Sequence, residues 1–171
     1  EFRADVLEQH DLDGSDLRDN ENSKSLEANS NGVLGAGLDG AKEVLEVAFA
    51  HPISLVANAL GVPPKWMLDM GKEHKVPVAA LVGAKQHAVK QAEAGVDIIV
   101  VSGTEGGGHC GSVSTMVLVP EVRRALKEYG DVPILAAGGI CTGEQMAGVM
   151  AMGADGVWLS LIHISEPTRL A

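Results

Sequence analysis

The sequence predicts an α/β fold on a parallel sheet, and three observations predict it. From residue 53 onward, five apolar, β-branched runs of four to seven residues recur, each nearly continuous instead of alternating. Strands buried on both faces read this way. Segments with helical patterns fill the gaps between them. Two of the joints leading from helix into strand, Ala94-Gly-Val-Asp97 and Met152-Gly-Ala-Asp155, repeat one short pattern.

The elements follow in order. A helix is expected over 40–50, with apolar residues at Val44, Leu45, Val47, Ala48 and Phe49. The first strand lies near Ile53-Ser-Leu-Val-Ala-Asn58. Next, a helix over Pro63–His74 opens on proline, which a first helical turn tolerates because that N–H has no partner there. Val76-Pro-Val-Ala-Ala-Leu-Val82 is the second strand, and Lys85–Ala94 the next helix, stopped by Gly95. The third strand is Asp97-Ile-Ile-Val-Val-Ser102. Glu121–Tyr129 reads as a helix ended by Gly130, before the strand Val132-Pro-Ile-Leu-Ala-Ala137. Thr142–Met152 starts on an N-cap threonine with Glu144 behind it and stops at Gly153, ahead of the strand Asp155-Gly-Val-Trp-Leu159.

Strand–helix alternation of this kind demands right-handed crossovers. A doubly wound sheet and a TIM (β/α)8 barrel both fit. The repeated joint favours the barrel, where every unit shares one geometry. Five strands do not close eight, so the expectation is an incomplete barrel of about five of eight βα units, the complete protein holding about three more.

Three segments divide the 171 residues: an acidic polar lead-in over 1–38, the partial barrel over 39–158, and a tail over 159–171. Residues 1–30 carry nine acids and three bases, six of the ten net negative charges. Beyond Trp158 the tail resembles the translated end of a transposon-based sequencing adapter, so a non-native tail on a fragment is expected. A net charge of −10 disfavours nucleic acid and anionic membranes as partners. No apolar run reaches the roughly 18 residues of a membrane span, and no signal peptide opens the chain. Cys110 and Cys141 form no CxxC pair and read as free thiols of a cytoplasmic protein. No zinc pattern or P-loop is present, and no metal is expected.

Two segments are candidates for chemistry. Ser102-Gly-Thr-Glu-Gly-Gly-Gly-His-Cys-Gly111 follows the third strand, on the barrel face where active sites sit. Its glycines let backbone amides approach a ligand closely, and His109 has a proton to exchange near neutral pH. A flexible turn with a solvent-facing histidine is the alternative. Ala136-Ala-Gly-Gly-Ile140 ends the next strand before a helix, which makes an anion pocket of backbone amides and helix dipole, or else a plain turn. Trp66, Met67, Met70, Met146, Met150 and Met152 read as packing residues, and Asn58 with Gly61 as a turn.

At "SGTEGGGHCG", "STMVLVPEV", "VPILAAGGI" and "GADGVWL" the sequence closely resembles the nitronate monooxygenases, from about Ala41 to Trp158. The resemblance implies an FMN-dependent (β/α)8 barrel that oxidises alkyl nitronates with O2 to a carbonyl compound and nitrite. It implies that His109 is the active-site histidine beside the flavin, that Gly107 and Gly108 pack near FMN, and that Gly138 and Gly139 form the phosphate loop. Ser102 stands where many members carry a flavin-contacting glutamine. The family's closing Gly-Thr or Gly-Ser pair is replaced by Ser160-Leu161. With that loop and the opening strands missing, the chain alone is expected to bind FMN weakly and to be inactive. A similar Glu-x-Gly-Gly-His loop occurs in FMN-dependent enoyl-acyl-carrier-protein reductases, which would add NAD(P)H as a co-substrate.

Overall fold

The structure, a computed structural model, describes residues 38–108 and 110–160. The chain divides between Ala50 and His51 into two units. Of the first, the described part is helix α1, Leu38–Phe49. In the second, β1 (Val56–Asn58), α2 (Lys65–His74), β2 (Val78–Val82), α3 (Lys85–Ala94) and β3 (Ile98–Ser102) come first. They are followed by α4 (Thr115–Leu126), a 3₁₀ turn (Lys127–Tyr129), β4 (Ile134–Ala137), α5 (Gly143–Ala151) and β5 (Gly156–Trp158). The five strands form one parallel sheet in the order β1-β2-β3-β4-β5. The acidic lead-in and most of the tail lie outside the described residues.

Central strands are buried on both faces. Ile99 and Val101 of β3 and Ile134 of β4 point to one side, which α4 covers with Leu118, Val119, Val122 and Leu126, all of them inaccessible or nearly so. On the other side Val100 forms a cluster with Ala79 and Ala137, joined by Leu81, Ile98 and Leu135. The period of two places Ser102 on this second face with Ile98 and Val100. Register then aligns Ser102 with Ala137 and Ala137 with Trp158, one row at the carboxyl ends of three strands.

Helix α4 begins six residues earlier than the sequence reading places it. Pro120 lies inside it, where a proline removes one hydrogen bond and costs about 3 kcal/mol. Four fully buried side chains on its inner stripe contribute roughly 1.5–3 kcal/mol each, so burial outweighs the break. In α5 the reciprocal cap of Thr142 is Gln145 and not Glu144: Gln145 N–H donates to the Thr142 hydroxyl, and Gln145 Oε1 accepts from the Thr142 N–H at 3.1 Å. Met67 is buried as expected, but Met146 and Met150 are 40% and 43% exposed, so these two are not core residues. Asn58 does serve the turn: its amide donates to the carbonyls of Leu60 and Gly61.

The repeated joint has a physical cause. At Gly95 (φ 84°) and Gly153 (φ 113°) the chain leaves its helix through a positive φ. The next residue, Val96 or Ala154, is buried and returns a hydrogen bond to the last turn. The aspartate then brackets the neighbouring strand: Asp97 N–H donates to the Val78 carbonyl while its carboxylate accepts from the Val78 N–H at 2.8 Å. Asp155 does the same to Ile134, at 2.7 Å for both bonds. Arg123 of α4 closes this second joint, donating to the Gly153 carbonyl at 2.6 Å and pairing with Asp155. After α2 the corresponding residue is Lys75, at φ 58° the one non-glycine with positive φ among the described residues.

Two predictions follow from these joints. Lys75→Gly removes a left-handed Cβ and is expected to stabilise the chain by about 0.5–1 kcal/mol, read from the urea midpoint. Asp155→Ala leaves the Ile134 N–H without its acceptor and takes one partner from Arg123, and is expected to cost about 1–3 kcal/mol in the same assay.

Candidate active site

A cleft of about 480 Å³ opens above the Ser102–Ala137–Trp158 row. Leu81 and Ser102 form its floor with Ala137; Glu105 and Gly107 wall it on the β3 side, Gly138 and Gly139 on the β4 side. The volume lies within the roughly 300–1,000 Å³ of small-molecule and cofactor pockets. Of the residues singled out from sequence, Ser102, Gly107, Gly138 and Gly139 meet here. Gly108 belongs to the same loop and is exposed, at φ 79°. His109 lies outside the described residues.

The glycines divide by what stands beside them. At Gly103 a Cβ would come within 2.1 Å of the Thr115 backbone nitrogen, and at Gly111 within 2.0 Å of the Gly83 carbonyl. Side chains at these positions are excluded by the protein's own backbone. Gly138 (φ 91°) and Gly139 (φ 70°) are left-handed, and a Cβ on Gly139 would lie 2.8 Å from the Glu105 Cβ. Gly107 and Gly108 differ, since a Cβ at either meets nothing within 4 Å. Gly108 still owes its glycine to a left-handed φ of 79°, whereas at Gly107 neither backbone nor neighbours among the described residues require one.

Thr115, the first residue of α4, joins the loops. Its hydroxyl accepts from the Gly103 N–H at 3.2 Å. Its single proton has three acceptors in reach, the Glu105 carboxylate at 2.9 Å and the carbonyls of Ala137 and Gly138 at 3.2 and 3.3 Å. The charged and nearest one forms the strongest bond. Glu105 Oε2 also accepts from the Thr115 N–H at 2.9 Å. That amide first, and then Glu105's own N–H, hold the Glu105 carboxyl below the usual glutamate range. Sequence reasoning quoted Glu105 within its motif but missed this role, because the cap is ten residues from its helix and leaves no local pattern. Glu144, in the first turn of α5, is likewise held low, by its own backbone N–H and then by Thr142.

On the β4 side, no acceptor among the described residues takes the N–H of Gly139 or Ile140. These amides lie just ahead of α5, whose N-terminus carries the positive end of a helix dipole. Cys141 lines the cleft, and both Cys110 and Cys141 are free and exposed. Among the described residues no three His, Cys, Asp or Glu side chains stand together as a metal site.

Parallel βα units with a glycine-walled cleft at the carboxyl ends of their strands define the chain as an α/β domain of the kind that houses enzyme sites at that end. Comparison with known proteins narrows the class. The chain belongs to the nitronate monooxygenase family, whose pattern matches residues 7–164. That match extends beyond the Ala41–Trp158 resemblance at both ends, taking in much of the acidic lead-in and the tail as far as residue 164. Rv1533 of Mycobacterium tuberculosis, whose name describes a monooxygenase, is 49% identical over 138 residues, covering 81% of this chain and 36% of that protein. An octahydro-indene-carboxyl-CoA dehydrogenase of Rhodococcus jostii is 40% identical over 102 residues, covering 60% of this chain and 28% of that one. The crystal structure of nitroalkane oxidase from Streptomyces ansochromogenes superposes with a TM-score of 0.64 at 28% identity, over 74% of this chain and 38% of that one. The chain therefore spans well under half the length of each. No helix among the described residues is long and apolar enough to cross a membrane.

Two predictions test the division of the glycines. Gly107→Ala leaves stability within about 0.5 kcal/mol of the parent, whereas Gly103→Ala costs several times that, as overpacking does at about 1–3 kcal/mol or more; thermal melts of both variants compare them. For Glu105, the lowered carboxyl adds stability above the ordinary glutamate pKa and loses it as pH falls through the lowered value. Glu105→Gln is therefore less stable at pH 7, and the gap from the parent closes on acidification.

Proposed function

We propose that the five strands are consecutive units of a (β/α)8 barrel that binds FMN and oxidises alkyl nitronates, with O2 as acceptor, to carbonyl compounds and nitrite. The observation that carries this reading is the glycine-walled cleft at the strand ends of a chain in the nitronate monooxygenase family. The residues present fit the cofactor. The left-handed Gly138–Gly139 turn, its uncommitted amides and the N-terminus of α5 suit the phosphate. Open space at Gly107 and Gly108, with Ser102 below, suits the ring. When bound, FMN supplies the electron transfer.

The chain's own residues would bind and orient. A nitronate is an anion with a nucleophilic carbon, and it needs a polar partner for its nitro oxygens. His109, directly after Gly108, is our candidate for that partner and for the base that removes the α-proton of a neutral nitroalkane. The small nitronate or nitroalkane and O2 are then the partners, with no nucleic acid or membrane. Two exposed free thiols accord with a cytoplasmic location.

A second reading, an FMN-dependent enoyl-acyl-carrier-protein reductase or another oxidoreductase acting on an acyl thioester, has two observations in its favour. The CoA dehydrogenase relative is 40% identical over 102 residues, and FabK from Thermotoga maritima superposes with a TM-score of 0.65 at 31% identity. Anaerobic mixing of the FMN-loaded whole protein, not of this 171-residue chain alone, separates them. Bleaching of the flavin by propionate 3-nitronate, with nitrite released on readmitting air, is expected. Bleaching by NADH or an acyl-CoA alone overturns the nitronate reading. In addition, His109→Ala is expected to slow neutral nitroalkane by about 10²–10⁴-fold and preformed nitronate less, as for loss of a general base. Equal losses on both substrates would leave His109 a role in charge or positioning only.

A further inference from the structure

Glu105 has no part in the function just proposed, yet it touches both walls of the cleft. Ser114, at the N-cap position of α4, gives no side-chain cap. The Glu105 carboxylate takes that place from outside the helix, accepting from the Thr115 N–H and hydroxyl, both at 2.9 Å. Its stem meanwhile occupies the space beside Gly139, where an added Cβ would stand 2.8 Å from the Glu105 Cβ. One side chain thus contacts the β3–α4 loop, the first turn of α4 and the glycine turn after β4. Among the described residues these parts are joined by few other side-chain bonds: only Thr115 reaches from α4 to the Ala137 and Gly138 carbonyls.

We propose that Glu105 is a positioning residue for the phosphate-binding wall of the cleft. Its carboxylate, anchored on α4, fixes its stem, and the stem is the surface against which Gly139 takes its left-handed turn. The proposal rests on the FMN reading. Electrostatics alone predicts the opposite consequence. A carboxylate on the cleft wall repels a phosphate dianion, so neutralising it would strengthen FMN binding. If positioning dominates, neutralising it weakens FMN binding, because the carboxylate loses its charge-assisted hold on Thr115 and the turn loses its backing.

The experiment uses the whole ¹⁵N-labelled chain, titrated with FMN and with riboflavin, and follows the Gly138 and Gly139 amide signals. Riboflavin has the same ring and no phosphate. The parent is expected to prefer FMN. Glu105→Ala should lower FMN affinity about tenfold or more and riboflavin affinity less than about twofold. Glu105→Gln keeps the length and one acceptor, and should lose about threefold on FMN alone; it decides the question if the alanine variant does not fold. FMN affinity equal to or above the parent's in Glu105→Gln overturns the proposal. Equal losses for both ligands also overturn it, since they mark a general effect on folding. A parent chain that does not distinguish FMN from riboflavin, or binds neither, defeats the FMN reading and this proposal together.

Discussion

Burial of β3 on both faces is the constraint from which the rest of the unit follows. A strand with Ile99 and Val101 buried on one side and Val100 buried beside a partly buried Ile98 on the other needs cover on both faces. Parallel neighbours joined by helical crossovers supply it on the outer face through α4. The inner face is covered by small and branched side chains of the flanking strands, Ala79, Leu81 and Ala137. The same register that packs this face sets Ser102, Ala137 and Trp158 in line at its upper end. The cleft sits where the apolar cluster stops and the loops begin, so its floor is a by-product of strand packing.

Each end of the sheet is held by a different device. Below, aspartates at the strand entrances satisfy both backbone groups of the neighbouring strand's first residue, and the helices stop one residue short of a buried Val96 and two short of a buried Ala154. These contacts fix where a strand starts, and hence which of its residues face inward. Above, the loops approach so closely that side chains are excluded, at Gly83 against Gly111 and at Gly103 against Thr115. Precision at the lower joints is what allows contacts that tight at the top.

This division explains what the sequence revealed. The strands were legible because burial on both faces leaves continuous β-branched runs, and Lys85–Ala94 was legible to the residue because Gly95 ends it. Helix α4 was misplaced because Pro120 reads locally as a boundary, while the burial that overrides it comes from β3 and β4, far away in sequence. The glycine turns of the site were visible as composition. Their causes were not: Gly103 and Gly111 answer to backbone packed from other loops, Gly139 to the Glu105 stem, and Gly107 to nothing among the described residues. Thr115 and Glu105 were invisible as a pair because nothing in a ten-residue spacing marks a cap.

The acidic character of the cleft raises a final physical point. A chain with a net charge of −10, and with Glu105 and Glu144 close to the glycine turn, is an unpromising host for a phosphate on charge alone. Two like charges 4 Å apart repel by about 1 kcal/mol in water and about 4 kcal/mol at an effective dielectric of 20. But both carboxylates are engaged at helix ends. Glu105 Oε2 accepts from the first amide of α4, and Glu144 is held low by its own backbone amide and then by Thr142. Each charge is thus placed against the positive end of a helix, which offsets much of its field at short range. Between them lie the two amides after Gly138, which no acceptor among the described residues takes, and backbone N–H groups bind an anion through direction as well as charge. Under the FMN reading proposed above, local dipoles at the two glycines, and not the sign of the whole chain, decide where the phosphate sits.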